Sequence, residues 1–157
     1  MSATNQYYFV CLQPQHQPTD TDLTSQYQAF QAWLQRIEGN WAHMPTPLSI
    51  QYQPNQLLLI WPTNITLLAL INILAQLGQH SYIAINQGTA IYDPQRQWYY
   101  SHLPAQLNAF IEVGKHHQHS IIIGEQASQV LPQEQLTYLT RSYFAGATTA
   151  LEVYAWE

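Results

Sequence analysis

The spacing of apolar residues in the N-terminal part of the chain predicts a strand followed by an amphipathic helix. Residues 6–12 (QYYFVCL) are aromatic and β-branched and are followed by Pro14, which is typical of a strand. From Leu23 to Ile37, apolar side chains recur every three or four residues, and Gly39 then predicts the helix end. Cap chemistry for this helix is predicted from Thr19, Asp20 and Asp22.

Apolar runs in the next segment predict a hairpin and a buried helix. Residues 48–53 and 56–61 are expected to form strands joined at Pro54-Asn55. Pro62 ends the second strand. Residues 65–77 are apolar nearly all round, which is typical of a helix buried on more than one side. This helix is too short to cross a bilayer, which takes about 20 residues.

The remaining pattern completes one α+β domain. Residues 81–91 predict a strand, and Asp93-Pro94 predicts a turn. Further elements are expected as a helix from Pro104 to Gly114, a strand at 120–123, a short helix at 125–131, and strands at 136–144 and 150–156 around Gly146. The order begins β-α-β-β-α-β. It predicts a single ferredoxin-like sandwich over residues 1–157, with a central, mostly antiparallel sheet and helices packed on it.

Charge is scarce, and its distribution excludes several kinds of partner. Charged residues make up 8% of the chain against a typical ~25%, and 22 glutamines take their place. Four Lys and Arg residues and a net charge of −5 exclude a nucleic acid or an anionic membrane as partner, since both attract clustered cations. Residues 39–92, a run of 54, contain no Asp, Glu, Lys or Arg. Chemistry that needs a carboxylate or an ammonium group must find it elsewhere.

The single cysteine, Cys11, excludes an internal disulfide. The N-terminus has no basic segment followed by an apolar run, so we expect no signal peptide and a cytoplasmic protein. Cys11 lies among apolar neighbours, where a thiol usually packs inertly; a reactive thiol is the alternative.

Several short segments form an ordered series in the second half of the chain. They are 82–88 (YIAINQG), 107–109 (LNA), 120–124 (SIIIG), the predicted helix 125–131, and 151–154 (LEVY). Their order and spacing resemble the catalytic domain of class III adenylate and guanylate cyclases, with its I-x-I-H-x-G strand, V-N-x-A-x-R helix and closing L-x-V-Y-x-L strand. The resemblance extends over residues 7–156 and implies the fold of that family.

The resemblance also implies two metal-binding aspartates, a purine-selecting lysine, and an asparagine and an arginine on one helix. The two aspartates correspond here to the segment Cys11 to Gln13 and to Asn55, and the lysine corresponds to Gln51. The asparagine corresponds to Asn108 and the arginine to Glu112. An amide at Asn55 has no charge with which to hold Mg²⁺ against water. A carboxylate at Glu112 would repel the charge that develops on a phosphate.

These departures predict a catalytically inactive cyclase-like domain without a cofactor, acting as a regulatory or protein-interaction module. The alternative is a degenerate pocket that still binds a nucleotide or another small ligand as a sensor. An enzyme of an unrelated kind is the third hypothesis.

We expect the chain to associate with itself or with a related domain through apolar surface. Because a sheet covers only one side of helix 65–77, Ile65, Leu68 and Ile73 are candidate interface residues. The aromatic segment Trp98, Tyr99 and Tyr100 beside Arg96 is a second candidate, unless this loop packs back onto the sheet.

His116, His117 and His119 form the densest titratable cluster. On a strand, His117 and His119 would share a face and could bind a transition metal. The alternative is a solvated turn after a helix, whose C-terminus favours cations. Because no Asp or Glu is close enough in sequence to complete a site, we expect no metal there.

Overall fold

A computed structural model describes residues 4–15, 22–144 and 146–157. Its helices are α1 (Leu23–Glu38), α2 (Leu67–Leu74), α3 (Leu103–His117) and α4 (Glu125–Ser128). Its strands are β1 (Thr4–Pro14), β2 (Ser49–Gln53), β3 (Gln56–Pro62), β4 (Ser81–Asp93), β5 (Trp98–Tyr100), β6 (Ile121–Gly124), β7 (Leu136–Ser142) and β8 (Leu151–Trp156). The predicted α+β architecture is confirmed. Thr19 and Asp20 lie outside the described residues, whereas the Asp22 side chain caps α1 by accepting from the Thr24 N–H.

The strands form one sheet in the order β2-β3-β1-β4-β6-β8-β7, with β5 paired to β4. The β4–β6 pair is parallel, and the other described pairs are antiparallel. The predicted hairpin at Pro54-Asn55 joins β2 to β3, and Asn55 has a φ of 58°. Proline followed by a residue with positive φ suits a type II turn, and asparagine tolerates that backbone better than most residues.

Alternation along β1 builds a core layer on each face of the sheet. Val10 and Leu12 pack with α1 and α2, whereas Phe9 and Cys11 pack with α3. All four side chains are fully buried. Since β1 lies between β3 and β4, it has a strand on both edges as far as Leu12, whereas Gln13 and Pro14 pair with β4 alone.

Four elements differ from the sequence predictions. Residues 98–100 form a strand, because the turn after Asp93 brings Trp98 opposite that residue. The helix predicted at 65–77 is α-helical only in α2, and residues 75–77 form a 3₁₀ turn. α4 is shorter than predicted, and α3 is longer. Among the described residues, no helix has the length and apolar character to cross a membrane.

Candidate functional site

Side-chain amides from three parts of the chain meet beside the C-terminal end of β1. Gln13 on β1 donates from Nε2 to Gln56 Oε1 (3.0 Å) and to Asn108 Oδ1 (3.1 Å). Gln56 in turn donates from Nε2 to Gln53 Oε1 (3.0 Å). The β2–β3 hairpin supplies Gln53 and Gln56, and α3 supplies Asn108. We call these four residues the amide chain.

The amide chain is neutral and extends from the half-buried Asn108 to the exposed Gln53. The Nε2 group of Gln13 points at two protein oxygens, and Gln56 is buried. Amides do not ionise, so these side chains can accept and donate hydrogen bonds but cannot balance the charge of a cation or of a phosphate. The arrangement therefore suits structural cross-linking of β1, the hairpin and α3.

Cys11 lies next to the amide chain, with its thiol directed at Asn108 Oδ1 (Sγ–Oδ1 3.9 Å). Burial raises the pKa of the Cys11 thiol to about 12, because a thiolate would lose its hydration there. The predicted packing of Cys11 in the core is confirmed by its full burial.

We expect Cys11 to resist iodoacetamide at pH 8 while the protein is folded. The thiolate is the nucleophile, and a pKa of about 12 leaves about one thiol in ten thousand ionised at that pH. Mass spectrometry after timed quenching measures the extent of reaction, with the protein in denaturant as the reference. Modification of the folded protein at the denatured rate would show that the thiol is accessible and ionised.

The other residues singled out in the sequence lie outside the amide chain. Gln51 is on β2 opposite Leu58, and Asn55 is in the hairpin turn. Glu112 lies one turn beyond Asn108 on α3 and is exposed, with Oε1 3.2 Å from Lys115 Nζ. The structure thus links Cys11, Gln13 and Asn108 through side-chain hydrogen bonds in which Gln51, Asn55 and Glu112 take no part.

An open cavity of about 330 Å³ lies between β4, the start of α3 and the segment before β8. Polar side chains line it, among them Gln6, Thr89, Ser101, His102, Gln106 and Gln126. None of its lining residues is Asp, Glu, Lys or Arg. A ligand for this cavity would be recognised by hydrogen bonds and not by charge.

The fold of this chain is similar to that of solved nucleotide cyclases over nearly its whole length. Adenylyl cyclase CyaB from P. aeruginosa gives a TM-score of 0.71 at 6% identity, covering 100% of this chain and 96% of that one. An adenylate/guanylate cyclase/hydrolase from Silicibacter pomeroyi gives 0.72 at 10% identity, covering 99% and 98%. The guanylate cyclase domain of RhGC from Catenaria anguillulae, in complex with GTP, gives 0.63 at 8% identity, covering 98% of each chain. The fold is that of a class III nucleotide cyclase domain. No protein-family model and no curated protein matches the sequence.

In this cyclase fold the three histidines lie at the end of α3 and not on a strand. His116 and His117 occupy the last helical turn, and Gln118 ends the helix with a φ of 62°. The strand geometry behind the metal hypothesis is therefore wrong, because the helix continues past Gly114. Over the described ranges, no three His, Cys, Asp or Glu side chains are grouped to hold a metal ion.

The aromatic segment Trp98, Tyr99 and Tyr100 was predicted either to be exposed or to pack back onto the sheet, and its residues differ in this respect. The Tyr99 ring packs back, with centroids 5.2 Å from Tyr7 and 4.7 Å from Tyr92. Trp98 and Tyr100 are exposed and contact each other edge to face at 5.6 Å. β5 therefore presents two aromatic rings to solvent and packs the third, half-buried, against the core layer that contains Tyr7.

Helix α2 presents less apolar surface than its sequence predicts. Ile65, Leu68 and Ile73 are half-buried, and the exposed positions of α2 are Ala69 and Asn72. Trp33 and Ile37 of α1 share the same core layer as α2, so the sheet is not the only cover. Ile65, Leu68 and Ile73 are thus partly covered and partly exposed, and their role in an interface stays a prediction.

Proposed function

We propose that this chain is a non-catalytic, regulatory protein-interaction domain built on the cyclase fold. The amide chain is the observation that carries the proposal. It occupies the end of β1 and the β2–β3 hairpin, where the resemblance implies metal-binding carboxylates. Mg²⁺ gives up its water reluctantly and is bound in proteins through carboxylates and substrate phosphates, which neutral amides do not replace.

The charge at Glu112 supports the same conclusion. The resemblance implies an arginine there, one turn after Asn108, to neutralise charge on the transferring phosphate. The carboxylate of Glu112 is instead paired with Lys115 on the exposed side of α3. A negative group at this position would raise the barrier to phosphoryl chemistry.

Exposed apolar side chains support an interaction role. The large ones are Leu23, Tyr27, Leu48, Ile50, Tyr52, Ile91, Trp98, Tyr100, Val130, Tyr138 and Tyr143. Aromatic residues are enriched at protein interfaces, whereas charged residues are depleted from interface cores. A surface with this composition fits a protein partner, which we propose to be a second copy or a related domain.

The test is an assay for cyclic nucleotides. With ATP or GTP and either Mg²⁺ or Mn²⁺, we expect no product above the no-enzyme background when the reaction is followed by mass spectrometry. An active nucleotide cyclase serves as the positive control. Product that disappears in both Asn55→Ala and Asn108→Ala would overturn the non-catalytic proposal.

The polar cavity favours a second candidate function, a sensor of a nucleotide or another small ligand. Its hydroxyl and amide lining fits a neutral group such as a base or a sugar. A ligand at 100 times its Kd stabilises the folded state by about 2.7 kcal/mol, which a thermal-shift screen detects readily. A screen of nucleotides and neutral small molecules without any shift would remove this candidate.

A further inference from the structure

The two ends of the sheet differ in how well they are protected against pairing with another chain. β7, at one end, has a register shift between Tyr138 and Thr140 and carries Arg141. Bulges and charges are two devices that keep edge strands from adding further strands. β2, at the other end, pairs with β3 in unbroken register and lies within the uncharged run 39–92. No strand in the described part of the chain pairs with its outer edge, which therefore presents a row of backbone N–H and C=O groups.

The side chains of β2 reinforce this edge. Ile50 and Tyr52 lie opposite Leu59 and Leu57, so they are on the sheet face that carries α1 and α2. Both are exposed, at 36% and 54%. Each borders an apolar hollow: about 240 Å³ beside Ile50 and about 310 Å³ beside Tyr52. Sites two residues apart match the alternating side chains of an incoming strand.

We infer that β2 pairs antiparallel with β2 of a second copy and joins the two sheets across a two-fold axis at Gln51. This inference rests on the interaction function proposed above and assigns a surface and a partner to it. The symmetry places Ile50 opposite the partner's Tyr52, a β-branched and aromatic pair of the kind that stabilises sheets. Pairing uses the free β2 edge of both copies, so the assembly closes as a dimer.

Charge and area both favour a second copy as the occupant. Each copy has a net charge of −5, yet the edge and its flanking loops contain no charged residue that would repel its counterpart. A charged peptide would find no counter-charge there. The side chains of Leu23, Tyr27, Leu48, Ile50 and Tyr52 are between 36% and 78% exposed. At about 200 Å² for a large side chain, they offer about 550 Å² per copy, roughly two thirds of the ~800 Å² of a standard interface before the strand backbone is added.

Sedimentation velocity of the full chain between about 1 and 200 µM tests the inference. We expect a monomer–dimer equilibrium that Tyr52→Lys weakens at least tenfold, because the two introduced ammonium groups then lie at diagonal positions across the axis, close enough to repel each other. Trp98→Lys tests the rival candidate surface on β5, since Trp98 is exposed to a similar extent, and its dimer should keep the wild-type Kd within twofold. Mixing Tyr52→Lys with Tyr52→Glu should restore a dimer, because the charges are then opposite.

Other results would separately contradict the β2 pairing, the self-association or the non-catalytic role. A dimer that Trp98→Lys breaks and Tyr52→Lys does not would overturn the β2 pairing but leave the interaction function standing. A wild-type monomer at 200 µM would overturn the pairing and the self-association. Cyclase activity would overturn only the non-catalytic proposal.

Hydrogen exchange of the wild type keeps the inference testable if a β2 variant fails to fold. Exchange of the amides at 49–53 should slow at least tenfold between the monomeric and the dimeric concentration range. The amides of β5 should not change. The absence of concentration-dependent protection in β2 of a dimeric protein would overturn the pairing without any substitution.

Discussion

Trp33→Ala should destabilise the fold by about 4 kcal/mol and release α1 from the sheet. Trp33 and Ile37 are the buried side chains of this helix, whose N-terminal half is largely exposed. The Trp33 indole also donates from Nε1 to Ser81 Oγ (2.8 Å), and Ser81 is fully buried. Removing the ring therefore leaves both a cavity and an unpaired hydroxyl. Urea denaturation followed by circular dichroism measures the loss.

Trp33→Phe is the control for this prediction. It keeps an aromatic ring in the core layer but removes the hydrogen bond to Ser81 and a small part of the indole volume, so we expect a loss of about 1.5 kcal/mol. Hydrogen exchange should show α1 opening first in the alanine variant. Equal losses for the two variants would mean that the hydrogen bond, and not the packing, anchors the helix.

Gly124→Ala should cost about 3 kcal/mol and lower the melting temperature by about 9 °C. A Cβ on Gly124 would overlap the side chain of Asn86, which is buried. Asn86 cannot move freely, because Nδ2 donates to Gln126 Oε1 (2.8 Å) and Oδ1 accepts from the Ala127 N–H (3.1 Å). The substitution would therefore strain the packing or break two buried hydrogen bonds.

Gly39→Ala is the matched control, because a Cβ there meets nothing closer than 3.5 Å and the backbone has an ordinary helical φ of −62°. We expect it to change the stability by less than about 1 kcal/mol, on the stabilising side. The double variant Asn86→Ala with Gly124→Ala should be less destabilised than the sum of the two single variants. Additive losses would place the cause elsewhere.

Much of the fold could be predicted from the sequence because its elements carry strong local signals. The apolar run before Pro14, the spacing from Leu23 to Ile37 and the Pro54-Asn55 turn each specify an element without help from distant residues. β5 has no such signal, since three residues become a strand only by pairing with the end of β4. The extent of α2 and α3 also depends on packing, and end positions are the least specified part of a helix.

The candidate site could be predicted only in part, and the reason is chemical. Cys11, Gln13 and Asn108 followed from the resemblance, which assigns positions to residues irrespective of their type. Gln53 and Gln56 did not, because in a chain with 22 glutamines no single amide is distinctive. The sequence feature that could have identified them is their position directly before and after the predicted Pro54-Asn55 turn, which places Gln53 opposite Gln56. Sequence patterns identify charged sites more readily than neutral ones. A site made of hydrogen-bonded amides can be recognised only when the distances between the side chains are known, and those depend on the fold.

The central place of β1 in the sheet has a consequence for how the chain is made. Leu12 is synthesised long before its neighbours in the sheet, Leu57 and Ile83. At ~5–20 residues per second, a ribosome takes roughly 4 to 14 seconds to pass from Leu12 to Ile83. Until Leu57 is made the apolar stretch 7–12 has neither strand neighbour that later flanks it, and until Ile83 is made it has only β3. Long-range pairing of this kind slows folding, so the nascent chain depends on chaperones, or on early collapse with α1, to keep its first strand from aggregating.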